Sequence, residues 1–81
     1  MKQEDIDYFK GLPYLHSEAV RVSVNVNRLH YQRELGEYTK ALNYATPEMG
    51  AFEILLDKVD CLMQSIKNCD IILKALHETK H

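Results

Sequence analysis

Residues His77-Glu78-Thr79-Lys80-His81 match the pattern H-E-x-x-H. On a helix this spacing sets two imidazoles one turn apart to hold zinc, with the glutamate between them as general base. A working centre of that kind also needs a third ligand and a cleft above the metal, and the second histidine here is the last residue of the sequence. The plainer expectation is a helix terminus, where His77 and Lys80 suit the negative end of the dipole. Cys61, Cys69 and Met63 are soft donors, but the cysteines are not spaced as C-x-x-C. Eight residues of helix separate their thiols by about 12 Å, beyond the reach of a disulfide. They are expected to be reduced and packed in or beside an apolar stripe. His16 and His30 lie fourteen residues apart with no serine or cysteine placed to act as their nucleophile. No catalytic, metal or cofactor residue is nominated, and a non-enzymatic chain is expected.

Two sets of residues carry binding chemistry instead. Arg21, Asn25, Arg28 and Gln32 follow one another at steps of 4, 3 and 4, which places them on one helix face able to contact a protein partner, phosphates or base edges. Against the nucleic-acid reading, 10 Lys plus Arg face 12 Asp plus Glu for a net charge of -2. No global field gathers polyanions or an anionic membrane. The second set is Tyr31, Leu35, Tyr38 and Leu42, with Tyr14 and Tyr44 nearby. Tyrosine suits a surface that is apolar on one side and wet on the other, so this set is expected to form an interface.

These residues must be held by some element, and the tract Val20-Arg21-Val22-Ser23-Val24-Asn25-Val26-Asn27 makes its nature ambiguous. It alternates valine with polar residues, the period of a half-buried strand. As a strand it would pair with its twin in another chain, projecting Arg21, Ser23, Asn25 and Asn27 together in the manner of ribbon-helix-helix dimers. The series Leu12, Leu15, Ala19, Val22, Val26, Leu29 nevertheless steps 3, 4, 3, 4, 3 straight through it. That favours a helix whose main seam takes Val22 and Val26, with Val20 and Val24 flanking. From Tyr31 the stripe Tyr31, Leu35, Tyr38, Leu42, Ala45 begins two positions on, a rotation of about 160°. Either Gly36 bends the helix or the two stripes meet different neighbours.

The expected elements are a short amphipathic helix over 2–10, a long helix over 13–45 and a second long helix over 47–78, within one domain spanning 1–81. The turns are marked by Gly11-Leu12-Pro13 and by Ala45 to Gly50. Thr46 is read as N-cap of the last helix with Pro47 in its first position. Three heptad columns follow: Met49, Leu56, Met63; Phe52, Val59, Ile66, Leu73; and Leu55, Leu62, Cys69, Leu76. This stripe is wider than a two-stranded seam.

Eighty-one residues support only a thin core. The predicted fold is all-α: a short N-terminal helix and a long antiparallel hairpin that dimerises into a four-helix bundle. No apolar run approaches the roughly 20 residues needed to cross a bilayer, and the acidic start Met1 to Lys10 is unlike a secretory signal. A cytoplasmic protein is expected, off the membrane, with a homodimer and a further protein as partners. The alternative is a DNA-binding dimer using Arg21, Asn25 and Arg28.

Three segments, Ile6 to Leu29, Ala45 to Gly50 and Leu55 to Leu76, in this order resemble the N-terminal helical hairpin of small phage-encoded transcription regulators of the ArpU and RinA type. In those proteins a tyrosine- and leucine-containing segment leads into a long helix, a Gly/Pro-bearing turn and a second long helix. They continue into a helix-turn-helix, whereas this sequence stops at His81. The resemblance therefore implies an adaptor or regulator, from a phage or other mobile element, that acts through protein contacts.

Overall fold

A computed structural model describes residues 1–78. It contains α1 (Gln3–Lys10), α2 (Tyr14–Tyr44) and α3 (Gly50–His77), with no strand among the described residues. The valine tract is therefore helical, in the middle of α2. Val20, Val24 and their neighbours satisfy their backbone groups within the helix and need no partner strand.

The helix ends follow from local chemistry. At the start of α1 the Lys2 amide donates to Asp5 Oδ2 at 3.3 Å, and Glu4 and Asp5 supply negative charge where the dipole is positive. Gly11 closes that helix by donating to the carbonyls of Asp7 and Tyr8 at 3.0 and 3.2 Å. Pro13 then sets the extended backbone before α2, and its carbonyl accepts the Ser17 amide at 2.8 Å.

The start of α3 differs from the sequence expectation. Thr46 to Met49 close a turn on themselves, the Met49 amide donating to the Thr46 carbonyl at 2.9 Å and the Thr46 amide to Met49 Sδ at 3.4 Å. Proline in the second position of a turn satisfies the same geometry as proline in the first position of a helix. The turn takes Pro47, and α3 begins only at Gly50, with Met49 as its uncapped N-cap.

By the standard rise α2 and α3 are about 46 and 42 Å long. They meet in reversed order, residues 24–31 lying beside 65–72 around one small groove. α1 packs on α3 as well, through half-buried Ile6 and Phe9, and Lys10 Nζ reaches Glu78 Oε2 at 3.1 Å. With α3 in the middle, the Cα trace measures 53 × 22 × 13 Å, a slab one helix thick. Its core is thin: Leu62, Cys69, Ala75 and Leu76 of α3, with Ser17 of α2, are the buried residues.

The phase of α2 overturns the expected seam. Apart from Glu18, the residues turned from water along α2 and at its C-cap are Ser17, Val20, Val24, Arg28, Tyr31, Leu35, Tyr38, Leu42 and Ala45, one unbroken series of threes and fours. It extends the Tyr31 stripe backward without any change of register. A face of α2 that packs along α3 keeps one phase, so Val20 and Val24 enter the seam while Val22 and Val26 do not. α2 runs through Gly36 without interruption, and a Cβ placed there would meet nothing within 4 Å.

Candidate protein-interaction face

The series expected to form the seam turns out to be the open face. At 100° per residue, the mean direction of Leu15, Ala19, Val22, Val26 and Leu29 lies about 180° from that of the α3-facing series. Leu15 is 77% exposed, Val22 56%, Val26 47% and Leu29 63%. Ala19 is also exposed, whereas Leu12, in the linker before α2, is half-buried. Scattered apolar residues on a surface are ordinary, but four large side chains, with Ala19 filling the step between Leu15 and Val22, form a contiguous patch. Past Leu29 the same outward face continues as Arg33, Glu37 and Lys40, all exposed. The patch is thus confined to the N-terminal half of α2.

α3 offers a weaker version of this. Met49, Leu56 and Met63 are 48%, 39% and 56% exposed, and Phe52, Val59 and Ile66, which fill the helical steps between and after them, are half-buried. The column is thus apolar throughout but shielded at every other step, whereas all five members of the α2 patch are exposed.

The sequence-selected residues are divided by the structure. Tyr31, Leu35, Tyr38 and Leu42 are half-buried on the face that α2 turns to α3. The chain's own third helix covers them, so within one chain the interface they make is internal. Arg21, Asn25, Arg28 and Gln32 share the flank of that seam. Arg21 Nε donates to Glu18 Oε1 at 3.2 Å, and a second bond joins Arg21 Nη2 to Glu18 Oε2. The hydrogen bond and the charge of Glu18 push the Arg21 guanidinium further toward its charged form. Arg28 Nε donates to Asp70 Oδ1 of α3 at 2.6 Å. Its apolar stem lies in the seam while its head reaches the edge. Asn25 and Gln32 are exposed. Of the two arginines that would meet phosphates, both already face a carboxylate.

The sulfur groups also separate. Cys69 is buried, as expected, but Cys61 is exposed. Burial pushes the Cys69 thiol up, the charge of Asp70 adds to this, and Arg28 pulls it the other way. A thiol so placed stays protonated and packs as an apolar group. Among the described residues no three His, Cys, Asp or Glu side chains gather into a metal-binding group. The H-E-x-x-H pattern can be followed only through exposed His77 and Glu78, since Thr79, Lys80 and His81 lie outside the described residues. An open groove of about 330 Å³ between α1 and α3 is lined by Ile6 and Ile71 and rimmed by Lys10, Lys74 and Glu78.

Among the described residues no helix is long and apolar enough to cross a membrane. What this arrangement can do chemically is bury apolar surface against another surface. The signal that would have identified the open face in the sequence is the backward continuation of the Tyr38-Leu35-Tyr31 phase through Arg28 to Val24 and Val20. Comparison with known proteins finds no matching family model, curated protein or solved structure.

Proposed function

We propose that this chain is a non-enzymatic helical interaction protein that associates with itself through the open face of α2 and offers its remaining helix faces to a protein partner. The resemblance to phage regulators suggests that the role of that contact is regulatory. The observation that carries the reading is the exposure of Leu15, Ala19, Val22, Val26 and Leu29 at consecutive helical steps on one face. Burying such a stripe is favourable by roughly 25 cal/mol per Å² of apolar area, and no element of the described chain covers it.

Nucleic-acid binding is the poorer account of the same helix. Its candidate cations Arg21 and Arg28 are paired with Glu18 and Asp70, and the chain as a whole carries -2. Sedimentation equilibrium from low to high micromolar concentration tests the preferred reading. The expected mass rises from 9.4 kDa toward twice that value. A mass that stays at the monomer value throughout defeats it. DNA retardation at low salt that is lost on changing Arg21 and Arg28 to alanine would favour the alternative.

A further inference from the structure

We infer that two copies of this chain pair antiparallel through the N-terminal halves of their α2 helices, edge to edge, so that the two slabs extend one another instead of closing around a shared four-helix core. This deepens the self-association just proposed and rests on it.

The surface area is sufficient for a second copy as the occupant. An ordinary monomer of this mass exposes about 5,000 Å², whereas this chain exposes 6091 Å². The excess of roughly 1,000 Å² is of the order of the ~800 Å² that each partner buries in a stable interface. A second α2 also matches the patch in length and pattern. Within α2 the exposed apolar steps 4, 3, 4 from Leu15 to Val26 read the same in both directions. An antiparallel copy therefore sets Ala19 against the partner's Val22 and Leu15 against the partner's Val26, with a two-fold axis between residues 20 and 21, and extends Leu29 toward the partner's linker. These helix–helix layers are then apolar.

Direction follows from what lies beyond Leu29. A parallel pair in register would stack Arg33 on its own copy, then Glu37, then Lys40, three like-charge contacts along the seam. The antiparallel pair overlaps only the apolar halves and carries the charged halves away to opposite ends, into water. The edges of the apolar stripe are compatible with this: His16, Ser23 and His30 run along one side and Glu18, Asn25 and Gln32 along the other. Glu18 is the only carboxylate among them, and it is already paired with Arg21.

The edge-to-edge shape follows from the position of the patch. It lies diametrically opposite the α3-facing stripe, on the outer edge of a slab one helix thick. A square bundle would require the open stripe to lie about a quarter turn from the α3 seam, so that four helices could share one interior.

The test uses the full chain with Cys61 changed to serine and a nitroxide attached at an introduced cysteine, buried Cys69 being left in place. With Glu37→Cys the antiparallel pair separates the labels by about 50 Å along the helix axis, whereas a parallel pair brings them within about 25 Å. Val22→Glu and, separately, Leu29→Glu are expected to weaken association at least about tenfold with helicity unchanged by circular dichroism, since both positions are exposed. A dimer with the long distance and sensitivity to both substitutions upholds the inference. A dimer with the short distance overturns the inference and leaves self-association standing. A dimer indifferent to both substitutions overturns the choice of face. A chain that remains monomeric overturns this inference together with the reading on which it rests.

Discussion

Val22 and Val24 are two residues apart on the same helix and of the same type, yet Val24 is half-buried toward α3 while Val22 is 56% exposed. The contrast extends to the two halves of α2. In the C-terminal half, Leu35, Tyr38 and Leu42 face α3, and the opposite side carries Arg33, Glu37 and Lys40. That is the ordinary amphipathic division, one apolar face for the fold and one charged face for water. The N-terminal half has apolar residues on both sides. Folding of the hairpin uses the side that contains Val20 and Val24; the side that contains Leu15, Val22, Val26 and Leu29 adds nothing to intrachain packing. A large apolar side chain that does not serve folding adds solubility risk unless contact with another molecule offsets it. The second face of the N-terminal half is therefore where function is sought.

The sharpest test of this division compares leucines. Leu76, 5% exposed in the core, is expected to cost about 2–5 kcal/mol on change to alanine. Leu15→Ala, at 77% exposure, should stay within about 0.5 kcal/mol. Urea denaturation at a concentration low enough to keep the chain monomeric measures both, since association would itself add stability. A large loss at Leu15 in the monomer would mean that the patch is part of the fold. A second pair separates folding from association on the valines. Val24→Asp presses a carboxylate toward α3 and should destabilise the monomer by about 1–3 kcal/mol. Val22→Asp should leave the monomer's unfolding midpoint in place and abolish the concentration-dependent rise in mass. Equal loss of stability from both would erase the distinction between the faces.

How much of this could be read from the amino-acid order depends on the range of the interactions involved. The helical state of the valine tract was legible because its alternation covers eight residues, whereas the 3-4 periodicity runs from Leu12 to Leu29. The turns at Gly11–Pro13 and Ala45–Gly50 were legible from glycine and proline, which act through their own backbone. The start of α3 was missed by three residues because Thr46-Pro47 signals a turn and a helix start alike. The seam was placed on the wrong face because Ser17 and Arg28 interrupt the true stripe with polar side chains. Arg28 is tolerated there through Asp70, forty-two positions away, and no local pattern announces that pairing. In the candidate site, the Glu18–Arg21 contact at three residues' spacing was available to inspection. The exposure of Leu15, Val22, Val26 and Leu29 was harder to see: two stripes compete along the helix, and only the backward continuation of the Tyr31 phase through Arg28 separates the one that α3 covers from the open one.

The smallest expected effect concerns the charged half and its glycine. Gly36 is exposed within continuous α2, its backbone is ordinary right-handed helix, and an added Cβ would find nothing within 4 Å. Neither a bend nor a close approach requires glycine there. Gly36→Ala removes conformational freedom from the unfolded chain at no steric cost in the folded one, and should stabilise by about 0.5–1 kcal/mol. Because residue 36 lies beyond the apolar patch, the same substitution should leave the dimerisation constant unchanged once both variants are fully folded. Thermal unfolding of the dilute chain reads the first quantity and sedimentation the second. A stabilised monomer with unaltered association keeps the two halves of α2 independent. A shift in association would mean that the partner reaches past Leu29, and the boundary between the halves would have to move toward Lys40.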